Sequence, residues 1–168
     1  SEMNNQIGEI RNRVRAIATD TNVAKITVLG LIDRPGIAAS LFEPLAESDI
    51  SVDVIVQNTS IDGATDLTFT VKGTELSTAL DVVEATAKKL GSKGVVSADH
   101  LAKVSIVGTG MQDVPGYAAR LFRTLAQNGI NIDMITTSDI RITCIVEEEQ
   151  AGKATRALHA AFHLEKPV

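Results

Sequence analysis

Two stretches of the sequence repeat one another, and this internal repeat restricts the fold more than any other feature of the chain. Residues 35–46 read PGIAASLFEPLA, and residues 115–126 read PGYAARLFRTLA, at an offset of 80 positions. The same offset relates ISVDVI at residues 50–55 to INIDMI at residues 130–135. A repeat with a fixed offset indicates that one supersecondary unit occurs twice. We therefore expect two small domains of the same fold.

Gaps in the repeat mark the places where the two copies differ in length. Gly30 matches Gly108 at an offset of 78, so the second copy has two extra residues in that loop. Asp66 matches Asp139 at an offset of 73, so the second copy is seven residues shorter at that point. Insertions and deletions are tolerated in surface loops. We therefore expect loops at both places.

Each copy has the pattern of a β-α-β-β-α unit. Runs of β-branched residues and runs of alternating polarity indicate strands, and proline suits the first turn of a helix. The predicted elements of the first copy are strand 26–29, a helix from Pro35, strands 52–56 and 67–71, and helix 74–90. Those of the second copy are strand 104–107, a helix from Pro115, strands 130–136 and 140–146, and helix 150–163.

The second copy lacks a convincing last strand, whereas a further strand begins at residue 95 after the first copy. Only residues 164–168 follow its second helix, and Pro167 disfavours a strand there. Residues 14–19 read VRAIAT, which is strand-like and otherwise unassigned. The predicted boundaries are an N-terminal tail at 1–13, a strand at 14–20 that completes the second unit, a first domain at 24–99 and a second domain at 102–168.

Charge and composition exclude several classes of protein. The net charge is −5 and the isoelectric point about 5.2, so phosphate backbones are repelled and nucleic acid is not an expected partner. No apolar run approaches the roughly 18 residues of a membrane span, so no membrane partner is expected. Aromatic residues make up only 3%, so the cores must be aliphatic. A single cysteine, Cys144, excludes an internal disulfide and agrees with a cytoplasmic location.

The loop between the first strand and the first helix of each copy combines an acidic residue, a proline and a glycine. Its sequence is DRPG at residues 33–36 and DVPG at residues 113–116. A helix N-terminus offers N–H groups that bind carboxylates, and glycine allows a ligand to approach the backbone. The aspartate could hold an ammonium group. Each loop is therefore a candidate site for a free amino acid, although the same pattern is typical of an ordinary helix start.

Several segments resemble the regulatory part of aspartate kinase, which is built from ACT domains. KITVLGLIDRPG at residues 25–36 resembles the opening of its first ACT domain, and KVSIVGTGM at residues 103–111 resembles the opening of its second. ITTSDIRIT at residues 135–143 resembles the central hairpin of the second domain. The resemblance covers roughly residues 15–164, as expected of a β subunit or a C-terminal fragment of that family.

The resemblance implies an α+β fold with two tandem ferredoxin-like ACT domains. Each would be a βαββαβ sandwich with two helices on one face of an antiparallel four-stranded sheet. It also implies a homodimer in which the first unit of one chain pairs with the second unit of the other. Such a module binds threonine, with or without lysine. It mediates feedback inhibition of aspartate phosphorylation in lysine, threonine and methionine biosynthesis.

The two loops then predict two effector sites at the interfaces between chains. In the first site, Asp33 would hold the ammonium group and the Ile37 and Ala38 amides the carboxylate. The predicted residues of this site are Asp33, Gly36, Ile37, Ala38 and Gln57, with Asn131 and Ile132 of the partner subunit. The second site has a bulky tyrosine and is expected to bind lysine or nothing. Its predicted residues are Asp113, Gly116, Tyr117 and Ala118, with Ser51 and Val52 of the partner subunit.

No catalytic residue, cofactor or metal is predicted in this chain. The catalytic part of aspartate kinase begins with a Lys-Phe-Gly-Gly-Thr-Ser type motif, which no segment resembles. ATP and magnesium are therefore expected only in that catalytic domain or α subunit, which is the expected partner. His159 and His163 have the spacing of metal ligands on a helix but no evident third ligand. Cys144, on a predicted strand, is expected to be a buried, inert thiol.

Two other functions stay open. An acylphosphatase-like enzyme of ferredoxin-like fold would need a phosphate-binding arginine beside an asparagine, and the matching loops contain neither. A dimerisation or amino-acid-sensing module without a kinase partner would be compatible with the same repeat. Titration with threonine, lysine and their mixture would separate a ligand-binding module from one that only dimerises.

Overall fold

The computed structural model describes residues 13–163, which form two compact units. The first unit contains residues 22–101, and the second unit combines the chain up to Thr21 with the chain from Ala102 onward. Residues 1–12 of the predicted tail, and residues 164–168, lie outside the described residues. Within the described range, no helix is both long enough and apolar enough to cross a membrane.

The first unit has the strand order β2-β3-β1-β4. Its strands are the C-terminal part of β1 (Val14–Ile32), β2 (Ile55–Thr59), β3 (Ala64–Val71) and the N-terminal part of β4 (Gly94–Gly108). β3 pairs antiparallel with both neighbours, so that Phe69 lies opposite Ile26 on one side and Ile55 on the other. The two helices of this unit are α1 (Ile37–Glu47) and α2 (Leu76–Lys89).

The second unit has the strand order β1-β4-β6-β5. It uses the N-terminal part of β1, the C-terminal part of β4, β5 (Met134–Thr137) and β6 (Arg141–Glu147). Its helices are α3 (Tyr117–Gln127) and α4 (Ala151–Ala161). The strand that begins at Val14 lies next to β4, so this unit is assembled from two distant parts of the chain. Each unit therefore has four strands and two helices, and the predicted α+β, ferredoxin-like fold class is confirmed.

Both cores consist mainly of aliphatic side chains, as the low aromatic content requires. In β1, the alternate residues Ala24, Ile26 and Val28 are fully buried, which is the period of a strand. In α1, Leu41 and Leu45 lie one turn apart and are also fully buried. The corresponding core of the second unit includes Val104, Ile106, Leu121, Leu125 and Leu158. The buried faces of α1 and α3 pack in these cores, and this packing positions the first turn of each helix.

Some predicted strand boundaries are wrong. The strands predicted at 52–56 and 130–136 begin only at Ile55 and Met134. Before Ile55, the backbone N–H of Val54 donates to the Thr70 hydroxyl at 3.0 Å, while the Asp53 N–H and the Val54 carbonyl both bond to the Thr70 main chain, so the pairing is irregular there. Conversely, the strands predicted at 14–19 and 26–29 form one strand, β1, because the residues between them stay extended.

Candidate functional site

The two candidate loops each place a glycine directly before a helix. Gly36, with φ of +89°, precedes α1, and Gly116, with φ of +106°, precedes α3. This left-handed backbone conformation favours glycine, because a side chain would strain it. Among residues 13–163, no atom beyond the adjacent residues lies within 4 Å of the place that a Cβ atom would take on either glycine. Both glycines therefore meet a backbone requirement and leave open space beside the helix start.

The first turn of α1 has free amides, but only one of the two predicted donors is free. The Ile37 N–H already donates to the Arg34 carbonyl at 3.2 Å. The N–H groups of Ala38 and Ala39 have no acceptor within residues 13–163. Free amides in a first helical turn can bind a carboxylate, favoured by the helix dipole. Within the described residues, the amides left free for a carboxylate at this helix start are therefore those of Ala38 and Ala39, whereas the Ile37 amide is already paired.

Asp33 and Gln57 are connected to the strands of the first unit by hydrogen bonds. The Asp33 side chain is exposed, and its backbone N–H donates to the Gly63 carbonyl at 3.2 Å. Gln57 is exposed on β2, and its side-chain Nε2 donates to the Thr65 hydroxyl at 3.2 Å. Thr65 lies opposite Leu31, two residues before Asp33, in the β1–β3 ladder. One threonine therefore connects the strand of Gln57 to the strand that leads into the Asp33 loop.

The second unit contains a cavity of about 430 Å³ at its loop. This volume is within the usual range for small-ligand sites. The cavity is lined by Met111, Gln112, Val114, Pro115, Gly116, Tyr117, Ala118, Thr137, Ser138, Asp139 and Ile142. Three of the four residues predicted here from this chain (Gly116, Tyr117 and Ala118) therefore line the cavity, whereas the fourth, Asp113, is not among its lining residues.

The cavity combines groups that complement a free amino acid. Asp139 supplies a carboxylate, and Thr137 and Ser138 supply hydroxyl groups from the β5–β6 hairpin. At the start of α3, the backbone N–H of Ala118, which also lines the cavity, has no acceptor within residues 13–163. An ammonium group on Asp139 and a carboxylate at the start of α3 would satisfy both ends of a zwitterion.

The hairpin residues of this cavity were missed as site residues by the sequence analysis. The segment TTSD at residues 136–139 contributed only to the family resemblance. The available signal was the seven-residue shortening at Asp139, which indicates that the hairpin next to the loop has a different shape in the second copy.

Tyr117 forms the buried side of the cavity. Its ring is stacked on Phe162 with a centroid distance of 6.4 Å, and only 4% of the residue is exposed. The Arg120 guanidinium lies 5.5 Å from the centre of the same Phe162 ring. Burial raises the pKa of Tyr117, while the charges of Arg13 and Arg120 oppose that rise. In the first unit the corresponding residue is Ile37, so the two loops differ in both size and polarity.

The residues that were assigned to the partner subunit lie in the loops before β2 and β5. Ser51 and Asn131 are exposed on the surface of their own units. Val52 and Ile132 are half-buried and pack against the cores of their own units. Their contacts with a second copy of the chain stay a prediction.

The remaining candidate groups are Cys144 and the pair His159 and His163. Cys144 is fully buried, and burial raises the pKa of its thiol to about 12, as expected of an inert core residue. Within residues 13–163, no group of three or more His, Cys, Asp or Glu side chains could hold a metal ion, and this range includes His159 and His163.

Comparison with known proteins gives a consistent picture. The ACT domain family matches residues 26–86 and 104–162, once in each unit. An aspartate kinase of Pseudomonas fluorescens is 44% identical over 154 residues, which is 92% of this chain and 37% of that protein. The chain thus spans little more than a third of the length of this curated relative.

Solved structures with the same fold include two from aspartate kinases. The ligand-free regulatory subunit of aspartate kinase from Thermus thermophilus is 39% identical, with a TM-score of 0.83; the match covers 89% of this chain and 99% of that one. Aspartokinase III of E. coli, solved in complex with lysine and aspartate, is 26% identical, with a TM-score of 0.67; the match covers 89% of this chain and 33% of that one.

Proposed function

Since the chain belongs to the ACT domain family and, within it, to the regulatory part of aspartate kinases, we propose that it binds free amino acids and thereby adjusts the activity of an aspartate kinase catalytic part. Allosteric coupling of this kind is typically about 1–3 kcal/mol, or roughly 5–150-fold in affinity. Phosphate transfer from ATP with magnesium takes place on the catalytic part, in the cytoplasm. This chain shifts the balance between the active and inactive states of that catalytic part.

The cavity in the second unit is the observation that carries this proposal. Its lining includes Ala118, whose amide is free within residues 13–163, and the carboxylate-bearing Asp139, in a space of small-ligand size. A zwitterion gains from both groups at once, because each of its charges meets a complementary partner. A simple anion or cation would leave one of them unmatched. This arrangement favours an amino acid over a phosphate or a metal ion.

We assign lysine to the second-unit cavity and threonine to the first-unit loop. Several groups in this cavity can accept hydrogen bonds from an ammonium group, namely the hydroxyls of Thr137 and Ser138 and the carboxylate of Asp139. Such a set of acceptors suits lysine, which carries two ammonium groups. The complex of E. coli aspartokinase III with lysine supports a lysine effector for this fold. The first-unit loop offers Asp33 and the Ala38 amide, with Gln57 as a partner for a hydroxyl group.

The first-unit site is completed by Asn131 and Ile132 of the partner subunit in a homodimer. The edge strand β2 supports this assembly, because all five of its residues are exposed and two of them are apolar. Ile55 is 52% exposed and Val56 is 38% exposed. An exposed edge with apolar side chains invites pairing with another strand.

Isothermal titration of the chain with threonine, with lysine and with their mixture tests the proposal. We expect heat of binding for at least one of the two amino acids, with glycine and aspartate as controls that produce much less. In a reconstituted kinase assay, the same amino acids should inhibit the catalytic part only when this chain is present. Inhibition that persists without this chain, or no binding of either amino acid, would contradict the proposal. A chain that dimerises but binds neither would instead support a dimerisation module.

A further inference from the structure

Arg13 contacts the loop of the second unit with both its backbone and its side chain. A Cβ atom on Gly108 would collide with the Arg13 carbonyl, so the backbone of residue 13 passes directly against this glycine. The Arg13 Nη1 atom donates a hydrogen bond to the Gly110 carbonyl, 97 positions along the chain. Arg13 precedes β1 and lies outside the residues that match the ACT domain family. It is nevertheless part of the second unit.

The Gly110 carbonyl directly precedes the turn whose residues line the cavity, and it accepts a hydrogen bond from the end of that turn. Gly110 has a φ of +69°, and its carbonyl also accepts the Asp113 N–H at 3.3 Å. This second hydrogen bond closes the short 3-10 helix Met111–Asp113. The helix carries Met111 and Gln112 into the cavity wall and leads to Val114. A hydrogen-bond donor that fixes the position of the Gly110 carbonyl therefore also fixes the start of the turn that contains Met111 and Gln112.

The first unit has no equivalent arrangement. The φ of Gly30, +63°, is similar to that of Gly110, and a basic residue, Lys93, lies against Gly30. There, however, the alkyl part of the side chain makes the contact, with Cδ 2.6 Å from the place of a Cβ atom. The residues that follow Gly30 continue in β1 instead of forming a 3-10 helix. The guanidinium–carbonyl bond is thus a feature of the second loop, where the cavity is found.

We propose that Arg13 is a positioning residue of the second-unit cavity, which holds the Met111–Asp113 turn in its ligand-binding shape through the Gly110 carbonyl. Its charge also reaches the cavity, because it lowers the pKa of Tyr117 against the effect of burial. By linkage, a ligand that stabilises this turn also stabilises the position of Arg13, immediately before β1. The cavity is therefore coupled to the start of β1. The ligand-binding part of this inference rests on the proposed function.

Two readouts separate positioning from a general structural role. Tyr117 is the only tyrosine and the chain has no tryptophan, so ultraviolet absorbance follows the ionisation of this one ring. Arg13→Met removes the donor and the charge but keeps an unbranched apolar stem, and Arg13→Lys keeps a charge and a donor. Arg15→Met is the matched control, because Arg15 is an exposed arginine two residues further along β1.

In Arg13→Met we expect a higher Tyr117 pKa, faster hydrogen exchange of the amides from residues 111 to 118, and at least tenfold weaker binding of lysine in calorimetry. Arg13→Lys should recover most of the Tyr117 shift, and Arg15→Met should behave as the wild type. An Arg13→Met protein that folds, yet matches Arg15→Met in Tyr117 titration, exchange and affinity, would overturn the inference. If the wild type binds neither lysine nor threonine, the proposed function fails, while the Tyr117 titration and the exchange rates still decide the role of Arg13.

Discussion

Asp66 on β3 accepts a hydrogen bond from the backbone N–H of Gly30 at 2.8 Å. In the second unit, the matching residue Asp139 lines the cavity, and the loop is tied instead by the Gly108 N–H, which donates to the Ile140 carbonyl at 2.8 Å. The same residue type therefore has two roles in the two copies. Asp66 supports a loop, whereas Asp139 lines a cavity.

This difference predicts opposite effects for two matched substitutions. Asp66→Ala leaves the partly buried Gly30 N–H without its acceptor, which should lower the free energy of unfolding by about 1–3 kcal/mol. Asp139→Ala removes an exposed carboxylate and should change stability by less than about 0.5 kcal/mol. Asp139→Ala should instead weaken amino-acid binding to the cavity. Urea denaturation and calorimetry of both variants test this, and equal destabilisation by the two would contradict the assignment.

Asp33 is predicted to hold the ammonium group of threonine in the first-unit loop. Threonine at about 100 times its dissociation constant should stabilise the wild type by about 2.7 kcal/mol. Asp33→Ala should abolish this rise without unfolding the protein, because the side chain is exposed. Asp113→Ala is the control and should keep the rise, since its carboxylate belongs to the other loop. Thermal melts with excess threonine measure the effect, and an unchanged rise in Asp33→Ala would place threonine elsewhere.

Gly116→Ala should destabilise the protein through the backbone alone. The φ of +106° disfavours any side chain, and we expect a cost of about 1–2 kcal/mol. No steric clash is expected, because the space beside Gly116 is open. Gly152→Ala is the control: Gly152 lies in α4, where alanine is the better helix former by up to about 1 kcal/mol. Chemical denaturation should therefore show a loss for the first variant and a small gain for the second.

Cys144 should make the stability fall at high pH. Burial raises the pKa of its thiol from 9.0 to about 12 in the folded state. Between these values the unfolded chain loses a proton that the folded chain keeps, so the free energy of unfolding decreases as the pH rises. The contribution of the buried thiol to the free energy of unfolding is fully present below pH 9 and is lost by about pH 12. The difference between the wild type and Cys144→Ala in denaturation at a series of pH values isolates this effect from that of Tyr117. A difference that does not depend on pH would show that the thiol is not protected by burial.

The exposed edge of β2 predicts self-association of the chain. Ile55→Asp should convert a dimer to a monomer in analytical ultracentrifugation, because it places a charge on the pairing edge. Ile61→Asp is the control: Ile61 is fully exposed in the turn between β2 and β3, away from the strand. A wild type that sediments as a monomer at micromolar concentration, with and without threonine, would contradict the predicted homodimer.

Much of the fold could be predicted from local patterns. The offset of 80 positions shows a duplicated unit, and the periodicity of residues such as Leu41 and Leu45 identifies the core face of a helix. Gly36 and Gly116 mark the helix starts, because the required backbone conformation is a property of the residue itself. These features depend on residues that are close in the sequence, so they can be predicted without knowledge of the tertiary contacts.

Contacts between distant residues were decided only by the tertiary structure. The sequence determined that two alike units exist and that a loop with an aspartate and a glycine precedes a helix in each. It could not show that the strand from Val14 brings Arg13 to Gly110, because 97 positions separate the donor from the acceptor. Nor could it show that Asp139, rather than Asp113, lines the cavity. The direction of a side chain depends on strand register and loop length, and two copies with the same motif can differ in both.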